Sequence, residues 1–447
     1  MSSLRRTCVL AIVVTLVSAP TANAADSTDF RAGAAQEDIT PPAGIPMWGY
    51  GARHDALSEG ALDPLMAKAI VVAAGDDKVA LVGIDLGRGP TEEMMKVIRQ
   101  QVAEQAGIRH VLISGSHTHH GPVIELTDEP GLGKGKFDVA VAYAKKLPQL
   151  LVRAILAADK DLRPAKIGMA TEAVRLNRNR QTKREPKATD PMLAVLRFDD
   201  EAGKPIAVLV NFAAHPVMTD AKVLKYSADY PGFLKSKVEA ELATLCVFMQ
   251  GASGDMSPNA GNGPGGPKGF GETLADHVIA LARSAKVERP NDPSVRGSAD
   301  TFHFQTRVDL LNPVVALIFE KNFFPEIVHS YAKTFGKGLR AELNTVLING
   351  EIALVGGSGE FFCNHANRLK ARSYVKHTLF FGYCNGHAMY FPTIEAASEG
   401  GYGAEPGVSL AELGAGERMM DAALINIYTL QGKFAKERRS SHSDTPR

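Results

Sequence analysis

Short apolar runs that stop at glycine-, serine- or proline-rich turns recur along this chain, and they limit its fold more than any other feature. The clearest are HVLISG before SHTHHGP (110–122), VLVNFAA before HPV (208–217) and LCVFMQ before GASGDMSPN (245–259). Apolar runs of roughly 4–8 residues bounded by turns read as buried strands. A strand end is also where a rigid sheet can aim side chains into a cleft. Helical stretches lie between them. TEEMMKVIRQQVAEQAG (91–107) opens on the cap residue Thr91, carries Glu92 and Glu93 in its first turn and closes on Gly107. Further helices are expected over Val139–Asp159, near 232–244, over 272–286 and near 408–432, and residues 68–87 read as two strands around GDDK.

Residues 301–355 read as mostly β, broken by LLNPVVALIFEKNFF (310–324), which is taken as a core segment in preference to the lip of a lipid-accepting cleft. The sequence shows no internal repeat and no linker. It therefore predicts an α/β fold, a single large mixed domain with β-sheets flanked by helices and an active site at the strand ends.

With 447 residues, 45% of them hydrophobic, the chain can build a substantial core. A formal net charge of +1 leaves no field to recruit nucleic acid. Arg5 and Arg6, the apolar run from Cys8 to Ala19 and Ala22-Asn23-Ala24 form a signal-peptide pattern over 1–24. The expectation is a secreted or periplasmic protein whose mature chain starts at Ala25, with a domain over 25–434 and a charged, frayed tail over 435–447. The apolar run is shorter than the ~20 residues a membrane-spanning helix needs. Cys246 lies in an apolar strand and reads as core, whereas Cys363 and Cys384 are the candidate disulfide of an exported chain. No Cys-x-x-Cys pair occurs, so a metal would take histidine, carboxylate or phenolate ligands.

In the extended segment Ser116–Pro122, residues two apart face the same side, so His117 and His119 can share one cleft. One can bind metal while the other moves protons. His215 follows a second apolar strand and Glu360 a third, and His387, Tyr390 and Tyr402 follow in the stretch 382–403. Asp255 and Ser257 suit a turn. No Gly-x-Ser-x-Gly elbow surrounds Ser257, which excludes an α/β-hydrolase.

In order and spacing, RAGAAQEDITPPAGIPMWGYG, VALVGIDLG, GSHTHHGP, RLNRNR, NFAAHP, QGASGDMSPN, GSGEFF, MYFPT and GGYG resemble the catalytic N-terminal domain of the neutral/alkaline non-lysosomal ceramidases over roughly residues 30–432. The resemblance implies one zinc ion per chain on His117, His215, Glu360 and Tyr390, and His119 as general acid/base. It puts the serine proposed as nucleophile on Ser257, the family's Asn-Arg pair on Asn177-Arg178 and its second active-site tyrosine on Tyr402. Arg178 and Tyr402 would stabilise an oxyanion, and Asp85 would support a ligand histidine. Zinc lowers the pKa of bound water to about 7, a route favoured over a Ser257 acyl-enzyme.

The implied activity is that of an exported zinc-dependent amidohydrolase (EC 3.5.1 type) that splits a ceramide-like N-acyl amide into a fatty acid and a sphingoid base. Its expected partners are a lipid-amide substrate and a peripheral membrane contact. Other readings are a zinc hydrolase of a non-lipid amide or ester, and a non-catalytic binding protein on the same scaffold. Members of the family carry a further C-terminal β-sandwich, which this chain is expected to lack.

Overall fold

One connectivity is built three times in the computed structural model, which describes residues 30–259, 261 and 265–434. The signal segment 1–24 and the tail 435–447 lie outside the described residues. In each unit three antiparallel strands lead into a helix, a fourth strand runs parallel to the third, and a last helix packs across the first two. The first unit comprises β1 (Phe30–Asp38), β2 (Met66–Ala74), β3 (Asp77–Ile84), α1 (Glu92–Ala106), β4 (His110–Gly115) and α2 (Asp138–Lys160). The second has β5 (Arg163–Ala173), the short β6 (Asn177–Asn179), β7 (Met192–Asp200), β8 (Pro205–Phe212), α3 (Tyr230–Leu242), β9 (Leu245–Gln250), the short β10 (Met256–Pro258) and α4 (Gly266–Ser284).

The third unit begins with β11 (Val295–Phe304), then inserts α5 (Pro313–Glu320) and α6 (Pro325–Phe335). It continues through β12 (Leu339–Ile348), β13 (Ile352–Gly357), β14 (Glu360–Phe361), α7 (Cys363–Arg372), β15 (His377–Phe381), β16 (Tyr390–Phe391), α8 (Ile394–Glu399) and α9 (Ala415–Leu430). The repeat is one of connectivity and not of residues, which is why the sequence shows none.

The first two units join through β1 and β5 into one eight-stranded sheet, β4-β3-β2-β1-β5-β7-β8-β9; the third forms its own sheet, β11-β12-β13-β15. The parallel pairs β3/β4, β8/β9 and β13/β15 are covered on both faces, and so read as unbroken apolar runs. Their close approach is visible at Gly83, where a Cβ would lie 2.2 Å from the Phe248 carbonyl oxygen. Buried amides clasp the units together. Gln250 donates to the Ser116 and Ala214 carbonyls, Asn385 to that of Val111, and Asn211 to those of Met249 and Phe380. α1 starts and stops where the sequence indicates: Thr91 accepts from the Met94 N–H, and Gly107 is left-handed at φ 68°.

Two expectations fail. The middle of the segment 310–324 is not core, since it forms α5, of whose residues none is buried; only its ends, Leu310 and Phe324, are buried in the hydrophobic clusters. Nor do Cys363 and Cys384 form a disulfide: both are buried free thiols. Cys363 opens α7 with its N–H and Sγ directed to Asp255, and Cys384 packs on Gly356. Cys246 is buried as expected. Among the described residues no helix is long and apolar enough to cross a membrane.

Candidate metal centre

The loops leaving the three parallel pairs meet at one point. His117 lies two residues beyond β4, with a left-handed φ of 68° that is unusual for a side chain of its size. Its Nδ1 is 2.7 Å from the carbonyl of Gly87, three residues beyond β3. His215 lies three residues beyond β8, with Nδ1 2.7 Å from the carbonyl of Ser253, three beyond β9. Glu360, three residues beyond β13, accepts on Oε2 from the hydroxyl of Tyr383, two beyond β15. Each unit thus gives one donor side chain from one strand of its parallel pair, and the group that holds it from the other.

A carbonyl can only accept, so the Nδ1 atoms of His117 and His215 carry protons, and such a ring in its neutral form leaves Nε2 bare. Those two Nε2 atoms are 2.9 Å apart, and Glu360 Oε2 is 3.2 Å from the first and 3.4 Å from the second. With both rings neutral, no imidazole proton separates these lone pairs. Burial pushes His215 down to about 3. Burial also raises the Glu360 carboxyl, but the histidines around it, His117 foremost, with the hydrogen bond from His387, bring it well below the usual carboxylate range. Ligands ~2.0–2.1 Å from a tetrahedral zinc stand roughly 3.3 Å apart. The donor set and its spacing therefore fit such an ion.

His119 Nε2 is 3.4 Å from His117 Nε2, and the three histidines can share a metal. His119 differs in its support, because its buried Nδ1 has no hydrogen-bond partner among the described residues. Burial and the neighbouring imidazoles hold it neutral. Tyr390 is registered beside Glu360 in the parallel pair β14/β16, and its hydroxyl is 3.2 Å from Arg180 Nη2. Burial and the Glu360 carboxylate keep this phenol protonated well above its ordinary range. His387 donates from Nε2 to Glu360 Oε1, 3.1 Å away. The Trp48 ring stands edge-on to His117, His119 and His387. Its indole N–H is tied to Glu125, a buried carboxylate paired with Arg88. A cavity lined by Trp48, Tyr50, His119, Phe323, Phe324 and Tyr402 leads to Glu360 and Tyr390.

Three sequence assignments shift. Arg178 is exposed in β6, opposite Ser257. The guanidinium at the cluster belongs to Arg180, with Nη2 3.0 Å from His215 Nε2 and 2.8 Å from the Gly254 carbonyl it donates to. β6 turns Asn177 and Asn179 inward and Arg178 out; beyond it the Arg180 N–H donates to the Asp255 carbonyl and carries its side chain in. RLNRNR contains Asn-Arg twice, and the second pair was the available signal. Asp85 supports no ligand histidine but is ion-paired with Lys235. Ser257 is buried in β10. The bonds from its turn to the cluster come instead from Ser253 and Gly254, the Ser253 hydroxyl lying 2.8 Å from that of Tyr383. Tyr402 sits at the cavity mouth, 59% exposed, its ring 5.7 Å from that of Tyr390 and from the Arg180 guanidinium carbon. Tyr383, absent from the sequence-based set, is the second residue of the stretch 382–403 that also carries His387, Tyr390 and Tyr402.

A family model described as neutral/alkaline non-lysosomal ceramidase, N-terminal, matches residues 30–266. Neutral ceramidase of Pseudomonas aeruginosa is 27% identical over 307 residues, 62% of this chain and 44% of that protein. Neutral ceramidase 3 of Arabidopsis thaliana is 30% identical over 151 residues, 31% of this chain and 20% of that protein. The chain thus matches less than half the length of these relatives. The crystal structure of the Pseudomonas aeruginosa neutral ceramidase superposes with a TM-score of 0.72 at 20% identity, covering 92% of this chain and 76% of that one. A ceramidase complexed with C2 gives 0.74 at 19%, covering 92% and 77%. At this identity the likeness is one of fold.

Proposed function

The chain belongs to the neutral/alkaline non-lysosomal ceramidase family, and from that premise we propose that it is a zinc-dependent amidohydrolase releasing a fatty acid from a ceramide-like lipid amide. The observation that carries this reading is the convergence of two imidazole nitrogens and a carboxylate oxygen within 2.9–3.4 Å. His117, His215 and Glu360 hold the ion, with Tyr390 as a fourth ligand. When bound, such an ion acts as a Lewis acid and makes water a nucleophile at neutral pH. The Gly87 and Ser253 carbonyls fix the ring tautomers, and His387 steadies the far oxygen of Glu360. His119, free at Nδ1, accepts the water's proton and returns it to the leaving amine. Arg180 and Tyr402 face the developing negative charge on the amide oxygen. This route needs no acyl-enzyme on Ser257.

Residues 1–24 act in this reading as an export signal, so N-terminal sequencing of the exported protein should begin at Ala25. The decisive experiment is metal analysis of the mature protein beside His117→Ala and Glu360→Ala, with ceramide hydrolysis assayed on the same samples. One zinc per chain, lost in both variants, together with fatty-acid release by the wild type, is the expected result. Full activity after metal removal overturns the reading. Zinc bound with ceramide untouched and short N-acyl amides cleaved would move the substrate to a non-lipid amide.

A further inference from the structure

From Pro313 to Phe319, helix α5 is apolar on every side. Val315, Ala316 and Phe319 pack on the hydrophobic clusters beneath it. On the other side Val314, Leu317 and Ile318, with Leu311 just before the helix, are 67%, 58%, 54% and 58% exposed. A surface helix ordinarily carries charge on that face, and a contiguous exposed apolar patch marks a contact. From Leu310 to Phe319 there is no charged residue; Asp309 precedes the stripe and Glu320 and Lys321 follow it.

The stripe ends at the rim of the cavity. Phe323 and Phe324, just beyond α5, line that cavity with Trp48 and His119. The Asn322 carbonyl abuts Gly51, and His54 Nε2 is 3.4 Å from the Glu320 carbonyl, which fixes the end of α5 to the mouth. The exposed apolar stripe and the cavity mouth therefore lie side by side, with only Glu320, Lys321 and Asn322 between them in the chain. A protein seated on the stripe would cover this rim, whereas a lipid layer would face it.

We propose that α5 is the surface with which this protein rests on a lipid layer, the Val314–Leu317–Ile318 stripe dipping among acyl chains beside the cavity mouth. An interfacial helix of this kind lies in the layer and does not span it. The inference rests on the lipid-amide reading above for the cargo, and on the stripe alone for the contact.

The test uses the full mature chain, wild type and Leu317→Glu/Ile318→Glu, with phosphatidylcholine vesicles with and without long-chain ceramide. The wild type is expected to sediment with both kinds of vesicle. In the variant, binding and hydrolysis of vesicle-held ceramide should fall about tenfold or more, while hydrolysis of a water-soluble short N-acyl amide stays within about twofold. Wild type that remains in the supernatant, or a variant that binds vesicles equally well, overturns the proposal. So does light scattering that finds a wild-type dimer and a variant monomer, which would assign the stripe to a second copy. If neither substrate is cleaved the hydrolase reading fails, yet sedimentation still reports on α5.

Discussion

His117 and His119 stand two residues apart in one turn, yet their surroundings give them different tasks. A backbone carbonyl locks the tautomer of His117, whereas His119 Nδ1 has no partner among the described residues, which leaves its ring free to exchange a proton. His119→Ala should therefore keep close to one zinc per chain while kcat falls by about 10²–10⁴; metal analysis and kcat on one preparation read both. Equal loss of zinc would make His119 a ligand instead. The donor residues were legible because His-x-His and the His-Pro corner follow strands that the sequence marks plainly. Arg180 was not, because RLNRNR offers Asn-Arg twice and only the phase of a three-residue strand chooses between them. The thiols misled for a related reason: spacing along the chain says nothing of Asp255, which claims Cys363.

At the scale of elements, caps and turn glycines made α1 readable to its ends. The helix α5 could not be read so well, since an apolar run looks the same whether it faces core or lipid. Contact between sheets leaves a fainter trace. Gly83 in VALVGI marks where β3 lies on β9, and no space exists there for a methyl group. Gly83→Ala should cost about 3 kcal/mol of stability, the upper part of the range for overpacked cores, as a lower urea midpoint. Because β3 leads to Gly87, zinc binding should weaken in the same variant.

Over the whole molecule, the class of fold was legible and its threefold repetition was not, since GIDLG, NFAAHP and GGSGE fill equivalent corners with different residues. The donors come from all three units, so an ion there ties the units together. Chelation should lower the melting temperature and zinc restore it, the difference approaching about 3 kcal/mol at a hundredfold excess over Kd; calorimetry with and without chelator checks this. An unchanged melting temperature would mean the units hold one another without help.

The same geometry sets a time at which the chain can first act. His117 and His215 are made early, but Glu360 lies in the last third of the sequence, and its carboxylate arrives only once β13 and β15 have paired and docked. A chain interrupted before that point presents two imidazoles and no anion. The donor cluster is thus complete only once the sheet of the third unit has closed on the eight-stranded one.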